Sequence, residues 1–382
     1  MAVQTAIRCI YLPWLEDTTK HFQQCEAVKS LPSVEQREGV KTSAGECILF
    51  ADGLRFDIGQ RLAVMAGERN MEASASWDWS FLPTVTATAK PASSPVVGKL
   101  SGGHMKEDFW PEVKETGVEL ATERLRGLLS DAGFQMLGPA ETGEPLYPDA
   151  RDWTEYGEFD KLGHNLQGKM TTLIEGQLDL LLERVQTLLE AGWKRVRVMT
   201  DHGWLLVPGG LPKIQLPKYL AESRWSRCAA IKDTSHVDVP LSGWSWNPQE
   251  RFAHAPGVHC FVAGQEYAHG GVSLQECLVP ILTFKASVAA AGPIVKISEI
   301  QWIHQRCRVM IEPVVDGLLA DLRTKPNVAG SSITGLRPLD ADGKAALLVA
   351  DDSLEGTAVS LVIVDATGRV ICKQATTVGG DK

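Results

Sequence analysis

Five apolar residues follow one another from Cys47 to Ala51 and stop at Asp52-Gly53. A short apolar run ended by a turn pair predicts a strand. From about Asp57 the period changes, and Ile58, Leu62, Ala63 and Met65 form a stripe at helical spacing. Strand, glycine turn and helix in that order open an α/β unit. A second strand is expected from Glu72 to Trp79, running on into Phe81-Leu82-Pro83-Thr84-Val85-Thr86. Residues 88–105, rich in Ala, Ser, Pro and Gly, read as a loop or a mobile cover. Helices are predicted over 117–132 and 172–191. In the second, Leu173, Leu178, Leu180, Leu181, Val185, Leu188 and Leu189 make a broad apolar face closed by Gly192. A strand from Arg195 to Thr200 then ends at Asp201-His202-Gly203, and a last sheet strand is expected from Val279 to Phe284.

The flanks read differently. Residues 1 to about 40 are polar and helical in pattern. After Ala291-Gly292-Pro293 only short β-like runs remain, at 294–297, 309–312, 317–322, 345–350, 358–364 and 370–373, separated by turn residues. That spacing predicts a β-sandwich of about 90 residues. The chain therefore divides into a helical lead-in (1–44), an α/β domain with a helix-flanked sheet (45–290) and a carboxyl-terminal β-sandwich (291–382).

Composition narrows the class. The net charge of −9 over 382 residues argues against a broad nucleic-acid-binding face, although a local basic groove beside bound metal ions stays open. The eight cysteines are scattered with no Cys-x-x-Cys pair, which excludes a zinc ribbon and a thioredoxin motif and predicts reduced core thiols. No stretch has the apolar length of a membrane span, and the start lacks a secretory layout. A cytoplasmic protein with no membrane contact is expected.

The chemistry-bearing residues fall at strand ends. Asp52 closes one predicted strand and Asp201-His202 another, and open α/β sheets gather functional groups at carboxyl ends of strands. Asp160 and His164, four apart, share one face if that segment is helical. His269-Gly270-Gly271 precedes the last sheet strand. Three Asp and three His make a set of three ligands for each of two ions, suited to zinc and also to manganese. Each piece has a plainer reading as a turn, a surface helix pair or a satisfied core histidine. Arg55 and Lys90 are candidates to grip a phosphate, with a solvated surface role as the alternative. His259 either lines the site or is structural. Trp244 and Trp246, at alternate positions, read as packing or as a base-stacking surface.

The order of these residues resembles the alkaline phosphatase superfamily, especially its phosphodiesterase branch: Asp, then Pro-Thr-x-Thr, then Asp-x-x-x-His, then Asp-His, then a late His. The resemblance implies that Asp52, Asp201 and His202 hold one metal ion. Asp160, His164 and His269 would hold the other, and Thr86 would be the nucleophile, with Thr84 as its rival. Four segments more closely resemble the PglZ family of the BREX phage-defence systems: 51–57 (Ala-Asp-Gly-Leu-Arg-Phe-Asp), 158–164 (Glu-Phe-Asp-Lys-Leu-Gly-His), 198–205 (Val-Met-Thr-Asp-His-Gly-Trp-Leu) and 269–280, beginning His-Gly-Gly-Val-Ser. Residues 200–218 resemble the type B form. The match covers residues 45–286. Since PglZ proteins are typically much longer, the chain resembles a carboxyl-terminal part of one. This resemblance implies an alkaline-phosphatase-like fold and a metal-dependent phosphodiesterase or phosphatase. Its partners would be other BREX components, and DNA or a nucleotide its substrate. Thr-Val-Thr-Ala stands where sulfatases carry Cys/Ser-x-Pro-x-Arg, which disfavours sulfate esters, and no P-loop or metallo-β-lactamase pattern is present. An interaction module that keeps the fold with weak catalysis is the second reading.

Overall fold

A computed structural model describes residues 2–25, 31, 33–69, 71–216, 225–232, 238–286 and 295–380. The chain forms two compact units, Met1–Ala286 and Ser287–Lys382. The domain boundary expected at 290 falls within 287–294, outside the described residues.

The first unit is built on a six-stranded sheet of β1 (Glu46–Ala51), β2 (Met71–Trp79), β3 (Gln135–Leu137), β4 (Arg151–Tyr156), β5 (Arg195–Met199) and β6 (Leu278–Ala286), in the order β2-β6-β5-β1-β4-β3. β1 pairs in parallel with β4 and β5, β3 pairs in parallel with β4, and β6 runs antiparallel to both its neighbours. The unbroken apolar run of β1 now has its reason, because both faces of the strand are buried. Cys47, Leu49 and Ala51 enter one core, with Ile58 and Leu62 of α2 (Phe56–Glu68) and Leu178, Leu181, Val185 and Leu188 of α6 (Ile174–Glu190). Ile48 and Phe50 enter the opposite core, with Ala87 and Ala89 of α3 (Thr86–Ala92) and Leu125 and Leu129 of α4 (Thr122–Asp131). The sheet flanked by helices is thus as expected. The lead-in helix α1 (Ala2–Gln24) belongs to this unit, packing Leu15 against Leu205, Val207 and Val258.

Several expectations are corrected. Residues 88–105 are not a mobile cover: they begin inside α3, whose residues Ala87–Ala92 are all buried, and continue through Val97–Lys99 to a short strand pair, Leu100–Ser101 with Glu112–Val113. The helix expected from 117 starts at Thr122. In α6, Leu182 is buried while Leu180 is exposed, as is Leu173 just before the helix. β3 and β4 were not foreseen. β4 hides because its polar residues are buried by partnership; the Cys47 thiol donates to Asp152 at 2.8 Å.

The second unit has two antiparallel sheets. One comprises Lys296–Ile303, Arg306–Glu312 and Lys344–Leu348; the other Arg337–Pro338, Leu319–Arg323, Ala358–Val364 and Val370–Thr377. Both contribute to one apolar core that includes Val309, Ile311, Leu322, Leu347, Leu361 and Ile363, the packing of a β-sandwich. No described helix is long and apolar enough to cross a membrane. The eight thiols are free, and five of them are buried.

Candidate metal centre

The sheet carries its acidic residues to one edge. Asp52 follows the last residue of β1, and Asp201 and His202 follow β5, whose register on β1 is parallel. β4 leads into α5 (Glu158–Leu166), which bears Asp160 and His164 one turn apart. His269 follows the short strand Tyr267–Ala268. The turns are tied to one another by backbone groups. Gly53 N–H donates to Asp201 Oδ1 (3.3 Å), Leu54 N–H to Thr200 Oγ1 (3.0 Å) and Trp204 Nε1–H to the Gly53 carbonyl (2.8 Å). Two glycines are dictated by close approach: a Cβ on Gly163 would stand 2.3 Å from the Tyr267 ring, and one on Gly203 only 2.0 Å from the Gln275 carbonyl oxygen.

All six sequence-named ligands converge. Asp160 Oδ1, His164 Nε2 and His269 Nε2 form a triangle with edges of 3.4, 3.3 and 3.0 Å. Ligand atoms about 2.0–2.1 Å from a tetrahedral ion lie about 3.3 Å apart, so these three fit one face of such a shell. His202 Nε2 lies 3.7 Å from Asp52 Oδ1 and 3.6 Å from Asp201 Oδ2. Those two carboxylate oxygens are buried and accept no hydrogen bond from the described residues. A buried unpartnered carboxylate oxygen is costly unless a cation completes it. The donor set therefore fits two metal ions. The groups adjoin: the His202 and His269 rings stack at 4.0 Å and 8°, and His202 also clusters with Asp160 and His269. His202 Nδ1 faces the Gly203 carbonyl (3.0 Å) and His269 Nδ1 that of Thr84 (3.0 Å), and such a bond at Nδ1 turns Nε2 toward a metal.

The electrostatics bear the mark of three carboxylates brought together. Burial, then the charges of Asp201 and Asp160, push the Asp52 carboxyl well above its usual range. At Asp160 burial acts in the same sense, but His269, His202 and His164 outweigh it and hold the group well below. Burial disfavours a charged His269, yet the Asp160 carboxylate prevails and lifts the ring to about 9. Burial lowers His202 and His164.

Thr86 opens α3, and its Oγ1 lies 3.3 Å from His202 Nε2. Thr84 is occupied: its hydroxyl donates to the Gly271 carbonyl (2.8 Å) and accepts from Gly270 N–H (3.1 Å), fully buried. Lys90, one turn after Thr86, is buried with Nζ 2.7 Å from Glu155 and 5.0 Å from the Phe50 ring centre. Its charge acts on Asp52. Arg55 holds Asp57 through two hydrogen bonds (2.6 and 2.7 Å) and stacks over Trp204. His259 is not brought into the cluster; its Nδ1 lies 3.1 Å from the Pro256 carbonyl and 3.6 Å from Glu16 of α1. Trp244 and Trp246 are buried and donate to Thr88 of α3 (3.1 and 3.0 Å), so they pack rather than present a stacking surface.

Two participants escaped the sequence reading. Tyr267 donates its hydroxyl to Asp160 Oδ1 (2.8 Å). Its signal was its place two residues before His269, at the start of the short strand that His269 follows. Ser80 donates to the Asp201 carbonyl, and nothing in its sequence context marks it.

No protein-family model matches the chain, and no curated protein matches it. Among solved structures, murine ectonucleotide pyrophosphatase/phosphodiesterase 5 superposes with a TM-score of 0.40 at 12% identity, over 63% of this chain and 88% of that one. Phosphonoacetate hydrolase from Sinorhizobium meliloti 1021, in complex with phosphonoacetate, gives 0.40 at 12% over 66% and 92%. These are distant likenesses. The chemistry of the site rests on its own geometry.

Proposed function

We propose that this chain is a two-metal phosphoester hydrolase of the alkaline phosphatase type, with Thr86 as its nucleophile. One observation carries the reading: Asp52 Oδ1 and Asp201 Oδ2, both buried without partners, converge with His202 Nε2 beside the Thr86 hydroxyl. Asp52, Asp201 and His202 would hold one ion; Asp160, His164 and His269 would hold the second, with zinc favoured by the histidine share and manganese as the alternative. Two divalent ions bound there supply a lowered pKa for a coordinated hydroxyl and offset the charge of phosphate oxygens.

The chain's own groups do the rest. Thr86 Oγ1 bonds to phosphorus as the ester oxygen leaves, and its proton ends on that oxygen, giving a phosphothreonine and the free alcohol. Water then attacks phosphorus, and the threonine oxygen departs and takes up the proton that the water gives up. Thr84 is the rival, and against it stands the engagement of its hydroxyl by the Gly270-Gly271 backbone. Lys90, on the turn after Thr86, is buried and paired with Glu155, and its charge reaches the Asp52 carboxylate.

The four PglZ-like motifs support a place in a cytoplasmic phage-defence complex with other BREX components, and a nucleic-acid or nucleotide phosphodiester as substrate. Hydrolysis of bis(p-nitrophenyl) phosphate and p-nitrophenyl phosphate, with zinc or manganese, tests the activity. Thr86→Ala is expected to lower turnover by about 10³-fold or more while metal binding persists. Turnover retained in that variant would exclude Thr86, and no turnover of either ester with any metal would favour an assembly module.

A further inference from the structure

The loops that carry His202 and His269 are joined through one buried acid. Glu276 lies in the short helix α7 (Leu274–Cys277), and its side chain is fully buried. Oε1 accepts from the Gly271 N–H (2.8 Å) and from Arg227 Nε (2.8 Å), and Oε2 accepts from the Ser273 hydroxyl (2.6 Å). Its backbone carbonyl accepts from the Gly203 N–H (3.0 Å). Glu276 therefore grips the residue after His202 with its main chain and the residue two after His269 with its carboxylate. The Gly271 carbonyl accepts from Thr84 Oγ1, and the Thr84 carbonyl faces His269 Nδ1, so the same tie reaches the segment ahead of Thr86.

Arg227 completes the brace. It is fully buried and also donates to the Gly257 (3.0 Å) and His259 carbonyls. A Cβ on Gly271 would stand 2.6 Å from Arg227 Nε, so the Gly-Gly pair lets the ligand loop lie directly on the guanidinium. None of these groups is a metal-ligand candidate.

We propose that Glu276 is a positioning residue for the metal centre, holding the His202 and His269 loops in register so that both imidazoles meet the ions. The role rests on the two-metal reading above. Groups that orient metal ligands in this way typically govern metal affinity by about 10–100-fold.

The test uses the full chain, stripped of metal and titrated with Zn²⁺ by calorimetry, then loaded with Co²⁺ for its visible absorption spectrum. Glu276→Gln keeps the size of the side chain and an acceptor for Gly271 but leaves Arg227 without its counter-charge. The control is Glu46→Gln, which breaks another buried acid's ion pair, with Arg197, at the amino end of β1. Thermal unfolding of the metal-free proteins reports the stability lost in each. Glu276→Gln is expected to weaken Zn²⁺ binding about tenfold or more and to shift the Co²⁺ bands, whereas Glu46→Gln leaves both unchanged. Wild-type affinity and spectrum in Glu276→Gln would overturn the role alone, as would equal changes in Glu46→Gln. A wild type that takes up no metal would overturn the two-metal reading and this role with it.

Discussion

Both units of this protein bury an aspartate, and the two are treated in opposite ways. In the second unit Asp321 is saturated: Arg323 Nε and the hydroxyls of Ser332 and Thr334 all donate to it. In the first, Asp201 is equally buried, yet only its Oδ1 is used, by the N–H groups of Gly53 and His202 and the Thr200 hydroxyl, while Oδ2 has no partner among the described residues. Asp52 Oδ1, equally orphaned, stands with it around His202. A buried carboxylate by itself therefore marks nothing. What distinguishes the site is that two such incomplete oxygens, of Asp52 and Asp201, converge on His202, whereas the lone one of Asp152 meets no second ligand group.

The contrast breaks most sharply by substitution at the two aspartates. Asp201→Asn is expected to keep the fold and to lose more than about 10²-fold in metal affinity, read by metal analysis after dialysis. Asp321→Ala does the reverse, leaving metal content intact and costing about 3–5 kcal/mol of stability through the stranded Arg323, read by urea unfolding. If Asp201→Asn held metal like the wild type, the distinction between the two aspartates would collapse. A smaller effect sharpens it. Tyr267→Phe removes the bond to Asp160 Oδ1 and is expected to weaken metal binding about tenfold with little change in thermal midpoint.

The smallest effect concerns a third buried acid. Burial lifts Asp152 to about 7, and its Oδ1 has no partner among the described residues. A carboxyl raised in the folded state binds its proton more tightly there than in the unfolded chain. Its contribution is thus greatest below the unfolded value of 3.8 and declines as pH rises from there through about 7. Asp152→Asn should flatten that decline, seen by comparing unfolding midpoints at pH 5 and pH 8; parallel slopes in variant and wild type would refute it.

Much of the site was legible because ligand types stood at strand ends beside glycines: Asp52-Gly53, Asp201-His202-Gly203 and His269-Gly270. The i,i+4 spacing of Asp160 and His164 was likewise enough to place them on one turn. α3 was illegible for a physical reason. With Ala87 through Ala92 buried on every side, it has no polar face and so no helical period to read. β4 concealed itself through Asp152 and Thr154, polar residues buried by hydrogen bonds to Cys47 and the Leu137 carbonyl. His259 carried no local feature separating a ligand from a structural histidine. Tyr267 meets Asp160 and Glu276 meets Arg227 across long stretches of sequence, pairings that only the folded chain brings together.

On the proposed function, six side chains bind two ions beside a threonine that is not itself needed to hold them. Calorimetric titration of the metal-stripped wild type and of Thr86→Ala with Zn²⁺ tests it most directly. Two equivalents are expected to bind to both proteins. Uptake of none, or of one equivalent only, by the wild type would contradict it.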